Sequence, residues 1–254
     1  MNNLTEIQPL LKSLRLSAIA EHLLQRNQEA INSKMSFIEF LSILLQDEVM
    51  RREQNKFDHL FKKSGLKSNK TVEQFDFSFN PKINQQQIKD ITQCRFIEEK
   101  VSVLIVGPCG TGKSHLAQAI GHCAIRRGIP SNFLTQTQLM TLLQTAKAVG
   151  DYDKKIRMLA KVPLLIIDDF GLKPLRPPQD EDFHDLIAQR YEETATVVTS
   201  NLAFSEWGAA FQNQLLAAAT LDRLGHAAYK VILEGNSYRI SSESNKKQHD
   251  TLKE

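Results

Sequence analysis

The chain has 254 residues, of which 41% are hydrophobic and 24% charged, a composition ordinary for a globular protein with one core and room for a small second domain. No apolar run is long enough to span a membrane, and the N-terminus lacks a secretory signal pattern, so we expect a cytoplasmic protein without membrane contact. The three cysteines are widely spaced, which favours reduced thiols and argues against a disulfide framework or a zinc site.

The net charge of +3 lies entirely within residues 1–70, which hold 11 Lys and Arg against 8 Asp and Glu. An excess of this size is compatible with binding to nucleic acid and is equally typical of a solvated surface. Charge alone therefore assigns no function to this chain.

The N-terminal part of the chain carries helical patterns only. Apolar residues recur at helical spacing over residues 5–30. Ser36 and Glu39 form a capping box before a second helical stretch, which ends at Gly65, a residue suited to the left-handed conformation that follows a helix. We therefore predict a small all-helical N-terminal domain, residues 1–68.

A polar stretch follows this domain. Residues 69–82 contain Pro81 and have no clear hydrophobic period, so we predict a linker or a draped loop. Its phenylalanines, Phe75, Phe77 and Phe79, indicate that it is docked on the next domain and not free.

From about residue 83 helical segments alternate with short apolar runs. Such alternation indicates an α/β domain with a mainly parallel sheet and helices on both faces, which we place at residues 83–242. Residues 243–254 are polar, and we predict a disordered tail. The apolar runs predicted as strands are residues 101–106, 131–134, 163–168, 196–200, 229–233 and 237–240.

The first of these runs leads into a loop that matches the pattern G-x-x-x-x-G-K-[ST] in full. Glycines allow backbone N–H groups to surround phosphate oxygens, and the positive end of the following helix points at the same phosphates. Lys113 is expected to reach the β- and γ-phosphates, and the Ser114 hydroxyl to bind Mg²⁺. A strand before the loop and an amphipathic run after it favour a nucleotide site over a chance glycine turn. The loop residues are Gly107, Pro108, Cys109, Gly110, Thr111, Gly112, Lys113 and Ser114.

Two carboxylates follow a later apolar run, LLII. Ligands of parallel sheets bind at the carboxyl ends of the strands, so we expect Asp168 to hold Mg²⁺ there. Asp169 is then placed to orient or deprotonate the attacking water. The alternative is an acidic turn, but adjacent carboxylates repel one another unless a positive charge lies close by.

Three further polar residues are candidates for contact with the phosphates. Asn201 follows the next apolar run, where its amide can hold the attacking water or the γ-phosphate; a simple turn is the alternative. Arg190 and Arg223 lie on predicted helices, and arginine stabilises spread phosphate charge in cis or across a subunit boundary. A surface ion pair with Glu192 or Asp222 is the alternative for each arginine.

The order of these motifs resembles the IstB-type ATPases, helper proteins of a bacterial transposon family, and more distantly the replicative helicase loader DnaC. Both belong to the AAA+ superfamily. The FDF and IIDDFG stretches are more specific than the phosphate loop, which many NTPases share. The resemblance covers nearly the whole chain and rests on LRLSAIAEHL, SFIEFLSILLQDE, TVEQFDF, GPCGTGKSHLAQAIG, LLIIDDFGLKPL, AQRYE, TSN, LDRLGH and SYRI.

The resemblance implies an AAA+ P-loop NTPase fold for residues 83–242 and a homo-oligomer that binds ATP and Mg²⁺ between neighbouring subunits. It implies assembly on DNA as a ring or helix, with duplex DNA favoured, and delivery of a transposase to its target. Asn201 is then the first sensor, Arg190 the finger that reaches a neighbour's γ-phosphate, and Arg223 the second sensor. Most members of the superfamily have Glu where this chain has Asp169, and the shorter side chain is expected to make hydrolysis slow, which suits a switch.

Two basic groups are candidates for DNA contacts. In related proteins the region between the phosphate loop and the paired carboxylates faces a central channel. Its candidates here, beside Tyr152, are Lys147, Lys154, Lys155 and Arg157. The second group is Arg51, Arg52, Lys56, Lys62 and Lys63. A solvated helix surface is the alternative for both groups.

Three functions share such an ATP site. The first is a DNA-binding assembly factor that helps a transposase to select or reach target DNA during insertion-sequence transposition. The second is a helicase loader of the DnaC type in DNA replication, which binds a replicative helicase and single-stranded DNA. The third is a metabolic kinase or NTPase, against which the helical N-terminal domain and the lack of an obvious acceptor site weigh.

Overall fold

The computed structural model describes residues 3–78, 83–235 and 237–238. The chain divides into two compact units, Met1–His59 and Leu60–Glu254. Within the described ranges no helix is both long and apolar enough to cross a membrane.

The first unit is all-helical, as predicted. Helix α1 spans Asn3–Ser13 and α2 spans Ser17–Ser33, so the helical pattern of residues 5–30 corresponds to two helices and not to one. Arg15 adopts a left-handed φ of 57° between them, a conformation through which a right-handed helix does not continue.

Helix α3 spans Phe37–Ser64 and carries the chain from the first unit into the second. The predicted capping box is confirmed: the Ser36 N–H donates to Glu39 Oε2 at 2.7 Å, and the Glu39 N–H donates to Ser36 Oγ at 3.2 Å. Gly65 follows the helix with a φ of 74°. The boundary between the units lies inside α3, earlier than the end at residue 68 that we predicted.

The chain after α3 belongs to the second unit. Leu66 and Phe75 are buried there, so the described part of the predicted linker, residues 69–82, is docked. The Phe77 ring packs edge-on against Phe75 with centroids 4.9 Å apart. Phe79 lies outside the described residues.

Helices and strands alternate along the second unit. The helices are α4 (Gln85–Thr92), α5 (Arg95–Glu98), α6 (Lys113–Arg126), α7 (Gln136–Ala148), α8 (Tyr152–Lys161), α9 (Gln179–Arg190) and α10 (Gln214–Gly225), with a 3-10 helix at Phe204–Ala210. The strands are β1 (Val103–Val106), β2 (Ser131–Thr135), β3 (Leu164–Phe170), β4 (Ala195–Ser200) and β5 (Tyr229–Ile232). The first five apolar runs of the sequence correspond to these strands. Of the run at residues 237–240, the described Ser237 and Tyr238 lie outside the sheet, and the predicted tail lies beyond the described residues.

The strands of the described residues form a five-stranded parallel sheet in the order β2-β3-β4-β1-β5. The parallel sheet that the alternating pattern predicts is therefore confirmed. This order places β4 between β3 and β1, so the carboxyl ends of the three strands lie side by side at one edge. The loops after these strands carry the motifs identified in the sequence.

Helices cover both faces of the sheet. On one face α6 packs across β1, β2, β3 and β4. On the other face α7, α8, α9 and α10 form the larger core with buried strand residues such as Leu104, Leu165 and Val198. Successive side chains of a strand point to opposite faces, so strands covered on both sides need apolar residues throughout.

Candidate nucleotide site

The glycine-rich loop lies at the carboxyl end of β1, between that strand and α6. Gly110 and Gly112 adopt left-handed φ angles of 83° and 97°, which residues with a Cβ rarely adopt. Close packing adds a second constraint, because a Cβ on Gly112 would lie 3.0 Å from the Phe75 ring. Helix α6 begins directly after Gly112, so its positive N-terminal end faces the loop.

Two side chains of this loop converge on the Pro108 carbonyl. Lys113 Nζ donates to Pro108 O at 2.8 Å, and Thr111 Oγ1 donates to the same oxygen at 2.9 Å. Lys113 is only 5% exposed, so its ammonium is held against the loop. Gly107 begins the loop, and the Cys109 thiol is exposed at its outer side.

Ser114 and Asp168 contact each other between α6 and β3. Asp168 is 4% exposed, and its carboxylate is hydrogen-bonded to Ser114 and to Thr199 of the neighbouring strand β4. Burial raises the pKa of Asp168 despite these two bonds, which favour the ionised form. A hydroxyl and a carboxylate on adjoining elements are hard oxygen ligands, so this donor set fits Mg²⁺.

Asp169 lies at an irregularity in β3. Its φ is 57°, and the pairing with β4 shifts between Ile167 and Phe170. A bulge of this kind breaks the alternation of side chains along the strand, and such strained positions cluster at functional sites. The Asp169 N–H donates to Thr199 Oγ1 at 3.1 Å, so one hydroxyl holds both carboxylate residues in place.

The residue after the carboxylates anchors the end of β3. Phe170 is buried, and its ring packs on Phe183 and Trp207 with centroid distances of 5.2 and 5.0 Å. Ser200 Oγ donates to the Phe170 carbonyl at 2.6 Å. The IIDDFG stretch thus fixes the position of its two aspartates through the aromatic residue that follows them.

The loop and both carboxylates line one cleft of about 780 Å³. Small-molecule sites typically enclose roughly 300–1,000 Å³, so a nucleotide fits this volume. Asn201 directly follows β4, between the strands that carry the loop and the carboxylates. The other side of the cleft is formed by the chain after α3 and by the end of β2, with Lys67, Lys70, Phe75, Thr135, Gln138 and Tyr238 among its residues.

Arg190 is a buried structural residue, and its predicted role as a finger for a neighbouring subunit is wrong. Its side chain is 1% exposed. Every acceptor of its hydrogen bonds lies in its own unit, so the guanidinium caps the C-terminal end of α8 and cannot extend to another molecule. The acceptors are Leu159 O, Ala160 O, Val162 O, Ala195 O and Thr196 Oγ1.

Arg223 lies at the edge of the sheet opposite the phosphate loop. Helix α10 ends at Gly225, shortly before Tyr229, which pairs with Val103 at the start of β1. Arg223 lines a cavity of about 180 Å³ at this edge. The loop follows the other end of β1, so Arg223 cannot act as the second sensor for the nucleotide of its own subunit.

Lys147 is paired with a buried carboxylate, which makes it a weaker candidate for the predicted DNA contact. Its Nζ lies 2.5 Å from Asp182 Oδ1 and 4.7 Å from the centre of the Tyr152 ring. Tyr152 OH donates to the same carboxylate oxygen at 2.8 Å. Asp182 is 2% exposed, and a buried charge of this kind needs its partner.

The remaining DNA candidates differ in whether their charged groups are exposed or are paired with carboxylates. Lys154 and Arg157 are exposed on α8, and Lys155 is half-buried. In the first unit, by contrast, Arg51 Nη2 lies 2.6 Å from a Glu21 oxygen and Arg52 Nε lies 2.8 Å from a Glu48 oxygen. The two arginines are therefore paired within their unit, whereas Lys56, Lys62 and Lys63 of the same group are exposed and stay candidates beside the α8 residues.

Thr199 is a site residue that sequence reasoning misses. It lies inside a run that reads as a buried strand, and nothing local marks its hydroxyl as a partner of Asp168. The available signal is the polar sequence TSN at the carboxyl end of the strand. Lys70 and His115 also line the cleft, and the sequence gives no comparable signal for either.

Known proteins match this chain along most of its length. Residues 9–246 match the family described as IstB-like ATP binding protein. The chain belongs to this family. A protein named as an ATP-binding protein of insertion sequence IS232, from Bacillus thuringiensis subsp. berliner, is 36% identical over 96% of this chain and 98% of its own length. One named likewise for IS5376, from Geobacillus stearothermophilus, is 37% identical over 89% of this chain and 90% of its own. The family resemblance drawn from the motifs is confirmed.

Solved structures of replication proteins share the fold. DnaA bound to AMPPCP and single-stranded DNA matches with a TM-score of 0.58 and 19% identity over 68% of this chain, and the match spans about half, 52%, of that DnaA chain. DnaI matches with a TM-score of 0.57 and 20% identity over 67% of this chain and 96% of its own. The DnaC helicase loader matches with a TM-score of 0.51 and 20% identity over 58% of this chain and 86% of its own. The AAA+ P-loop NTPase fold expected from the sequence is therefore confirmed.

Proposed function

We propose that this IstB-like protein binds ATP with Mg²⁺ in the cleft and hydrolyses ATP slowly. The observation that carries this proposal is the contact of Ser114 with Asp168 beside the glycine-rich loop. A phosphate-binding loop and a buried carboxylate joined by a hydroxyl provide both halves of a Mg²⁺–nucleotide site. The names of the family and of its relatives, which refer to ATP binding, support the same ligand.

Each residue of the site has a separate task in this proposal. Lys113 and the loop N–H groups hold the phosphates, and Ser114 with Asp168 holds the metal ion, which neutralises phosphate charge when bound. Asp169, which lies at the irregularity of β3, orients the attacking water or takes its proton. Asn201 binds the same water or the γ-phosphate. The short carboxylate of Asp169 makes hydrolysis slow, which suits an assembly switch.

Two variants separate binding from hydrolysis. Lys113→Ala should abolish binding of a fluorescent ATP analogue, because it removes the lysine that meets the β- and γ-phosphates. Asp169→Asn should bind the analogue within about twofold of wild type but release phosphate about 10²–10⁴-fold more slowly, the usual contribution of a general base. Wild-type affinity in the first variant, or wild-type phosphate release in the second, contradicts the assignment.

We propose further that the subunits form a homo-oligomer with ATP at their interfaces. In this proposal Arg223, which lies at the edge away from its own phosphate loop, contacts the nucleotide of a neighbouring subunit. Arg223→Ala and Lys113→Ala should each lack ATPase activity alone. A mixture should recover part of it, since an intact arginine then meets an intact loop at some interfaces. No recovery at any ratio argues against sharing of the site.

The same proposal includes duplex DNA and a transposase as partners. Its support is that the relatives are named as ATP-binding proteins of insertion sequences. In a reconstituted integration reaction with a candidate transposase, the wild type should raise the yield with ATP, and Lys113→Ala should not. An equal yield with and without this protein contradicts the role.

A helicase loader is the second candidate, favoured by the structural similarity to DnaC and DnaI. Such a loader prefers single-stranded DNA and binds a replicative helicase, whereas the assembly factor prefers duplex DNA. Filter binding of both DNA forms, with and without ATP, distinguishes them. Tighter binding to single strands, together with a stable complex with the replicative helicase, favours the loader.

A further inference from the structure

Residues that follow α3 form one wall of the nucleotide cleft. We call residues 66–76 the strap. Its backbone is bound by side chains of α6: His115 Nε2 donates to Thr71 O at 2.9 Å, and His122 Nε2 donates to Lys67 O at 2.8 Å. Gln118 Oε1 accepts from the Lys67 N–H at 3.0 Å. These three side chains share one face of the helix that begins at the phosphate loop.

Two further contacts fix the far end of the strap. Glu73 Oε1 lies 2.5 Å from Arg126 Nη1, near the C-terminal end of α6, and this pairing lowers the pKa of Glu73 to about 2. Phe75 is buried, with its ring against Gly112 of the phosphate loop and 5.4 Å, centroid to centroid, from the His115 ring. The strap is therefore held along α6 and also at the loop itself.

Lys70 lies between these attachments and lines the cleft together with Lys113 and Ser114. It is half-buried, and among the described residues no carboxylate pairs with it. Burial lowers the pKa of His115, and the nearby ammonium of Lys70 lowers it further. Lys70 adds a positive charge to a cleft that Lys113, the N-terminus of α6 and the carboxylates of Asp168 and Asp169 also line, an arrangement that suits an anion bound together with a metal ion.

We propose that the strap is a built-in wall of the nucleotide site and that Lys70 is a second phosphate-binding lysine in it. This inference rests on the proposed ATP site and adds a residue from outside the glycine-rich motif. The contacts with α6 fix the backbone of the strap before any ligand binds, so little backbone entropy is lost when the Lys70 ammonium meets a phosphate. The ligand class is a nucleoside triphosphate, because the cleft extends from the loop to the carboxylates that flank the terminal phosphate.

The test compares Lys70→Ala with Lys89→Ala, which makes the same change of charge at an exposed position of α4 outside the lining of the cleft. The contacts of the strap with Gln118 and His122 go through the Lys67 backbone and remain in both variants. Titration of each full-length variant with Mg²⁺ and a non-hydrolysable ATP analogue should show about tenfold weaker binding for Lys70→Ala, the effect of one charge-assisted hydrogen bond. Lys89→Ala should stay within about twofold of wild type, the allowance for a screened surface charge.

Hydrogen exchange supplies a second readout. In wild type and in Lys89→Ala, the analogue should slow exchange of the strap amides, and in Lys70→Ala this protection should be reduced at equal saturation of the site. Equal affinities for the two variants, or equal protection of the strap, overturn the proposal. The control for the site itself is Lys113→Ala: loss of binding there with normal binding in Lys70→Ala overturns only this inference, whereas normal binding in Lys113→Ala overturns the ATP site with it.

Discussion

Replacement of Arg190 by alanine tests whether this arginine is structural or reaches a neighbour. Its side chain is 1% exposed and donates to oxygens of α8, of Val162 directly after that helix, and of β4. Three of these oxygens are the carbonyls of Leu159, Ala160 and Val162, at the C-terminal end of α8, where a helix has no backbone donors left to satisfy its acceptors. The variant therefore loses the cap of a helix together with a buried side chain.

The size of the effect follows from these contacts. A buried acceptor left without a partner costs about 1–3 kcal/mol, and removal of one member of a buried polar network typically costs about 3–5 kcal/mol in total, because the neighbours relax and water enters. We expect the unfolding free energy to fall by about 3–5 kcal/mol. In a unit of this size about 1 kcal/mol lowers Tm by about 2–4 °C, so Tm should fall by about 6–20 °C.

Thermal unfolding followed by circular dichroism measures this loss. Arg190→Lys is the matched control: it keeps the charge but cannot reach all of the oxygens, so it should unfold at an intermediate temperature. Arg223→Ala should leave Tm within a few degrees of wild type, because the side chain is only half-buried. The structural reading of Arg190 is refuted if Arg190→Ala melts like wild type, lacks ATPase activity and regains it when mixed with Lys113→Ala.

Three further outcomes follow from the site and from α8. Burial raises the pKa of Asp168, so its charged form destabilises the fold, and Asp168→Asn should gain about 0.5–2 kcal/mol of stability at pH 7 and above while losing Mg²⁺-dependent hydrolysis. The gain should shrink as the pH falls, because wild-type Asp168 then takes up a proton. Thermal melts across a pH series measure it. Thr199→Val should lower stability by about 1.5–3 kcal/mol and weaken Mg²⁺–ATP binding, whereas Thr199→Ser keeps the hydroxyl and should preserve binding. Equal affinities of the two variants for Mg²⁺–ATP would contradict the role of the Thr199 hydroxyl in holding Asp168 and Asp169. Lys154→Ala with Arg157→Ala should flatten the slope of log affinity for DNA against log salt by up to about 1.8 per subunit, whereas Lys147→Ala should lower Tm and leave the slope unchanged.

The sheet and the phosphate loop could be predicted from local pattern because their physical requirements are local. A strand covered on both faces must be apolar at consecutive positions, and β1 and the first four residues of β3 meet this condition, whereas the edge strands β2 and β5 are partly exposed. The loop needs glycines at fixed spacing, and Gly110 and Gly112 adopt left-handed angles. The position of Asp168 could be predicted in the same way, since the end of the apolar run in the sequence marks the carboxyl end of the parallel strand.

The arginines could not be assigned from the sequence, because their roles depend on where distant elements meet. Arg190 donates to α8, and this pairing exists only once α9 packs on α8. The distance of Arg223 from its own phosphate loop depends on the pairing of β5 with β1. In the sequence Lys147 looks like any surface lysine, because its partner Asp182 is buried beside it only in the folded protein. In each case the partner is far away in sequence, so helical spacing alone carries no information about it.

Binding of duplex DNA as a function of nucleotide tests the central claim, that this protein is an ATP-controlled DNA assembly factor. Fluorescence anisotropy of a labelled duplex should show tight, cooperative binding with ATP and Mg²⁺ and much weaker binding with ADP or without nucleotide, because affinity comes from many subunits that nucleotide joins. Asp169→Asn should keep the ATP-bound affinity for longer than wild type, and Lys113→Ala should show the weak affinity under every condition. DNA binding that is equally strong with ATP, with ADP and in Lys113→Ala would contradict the account.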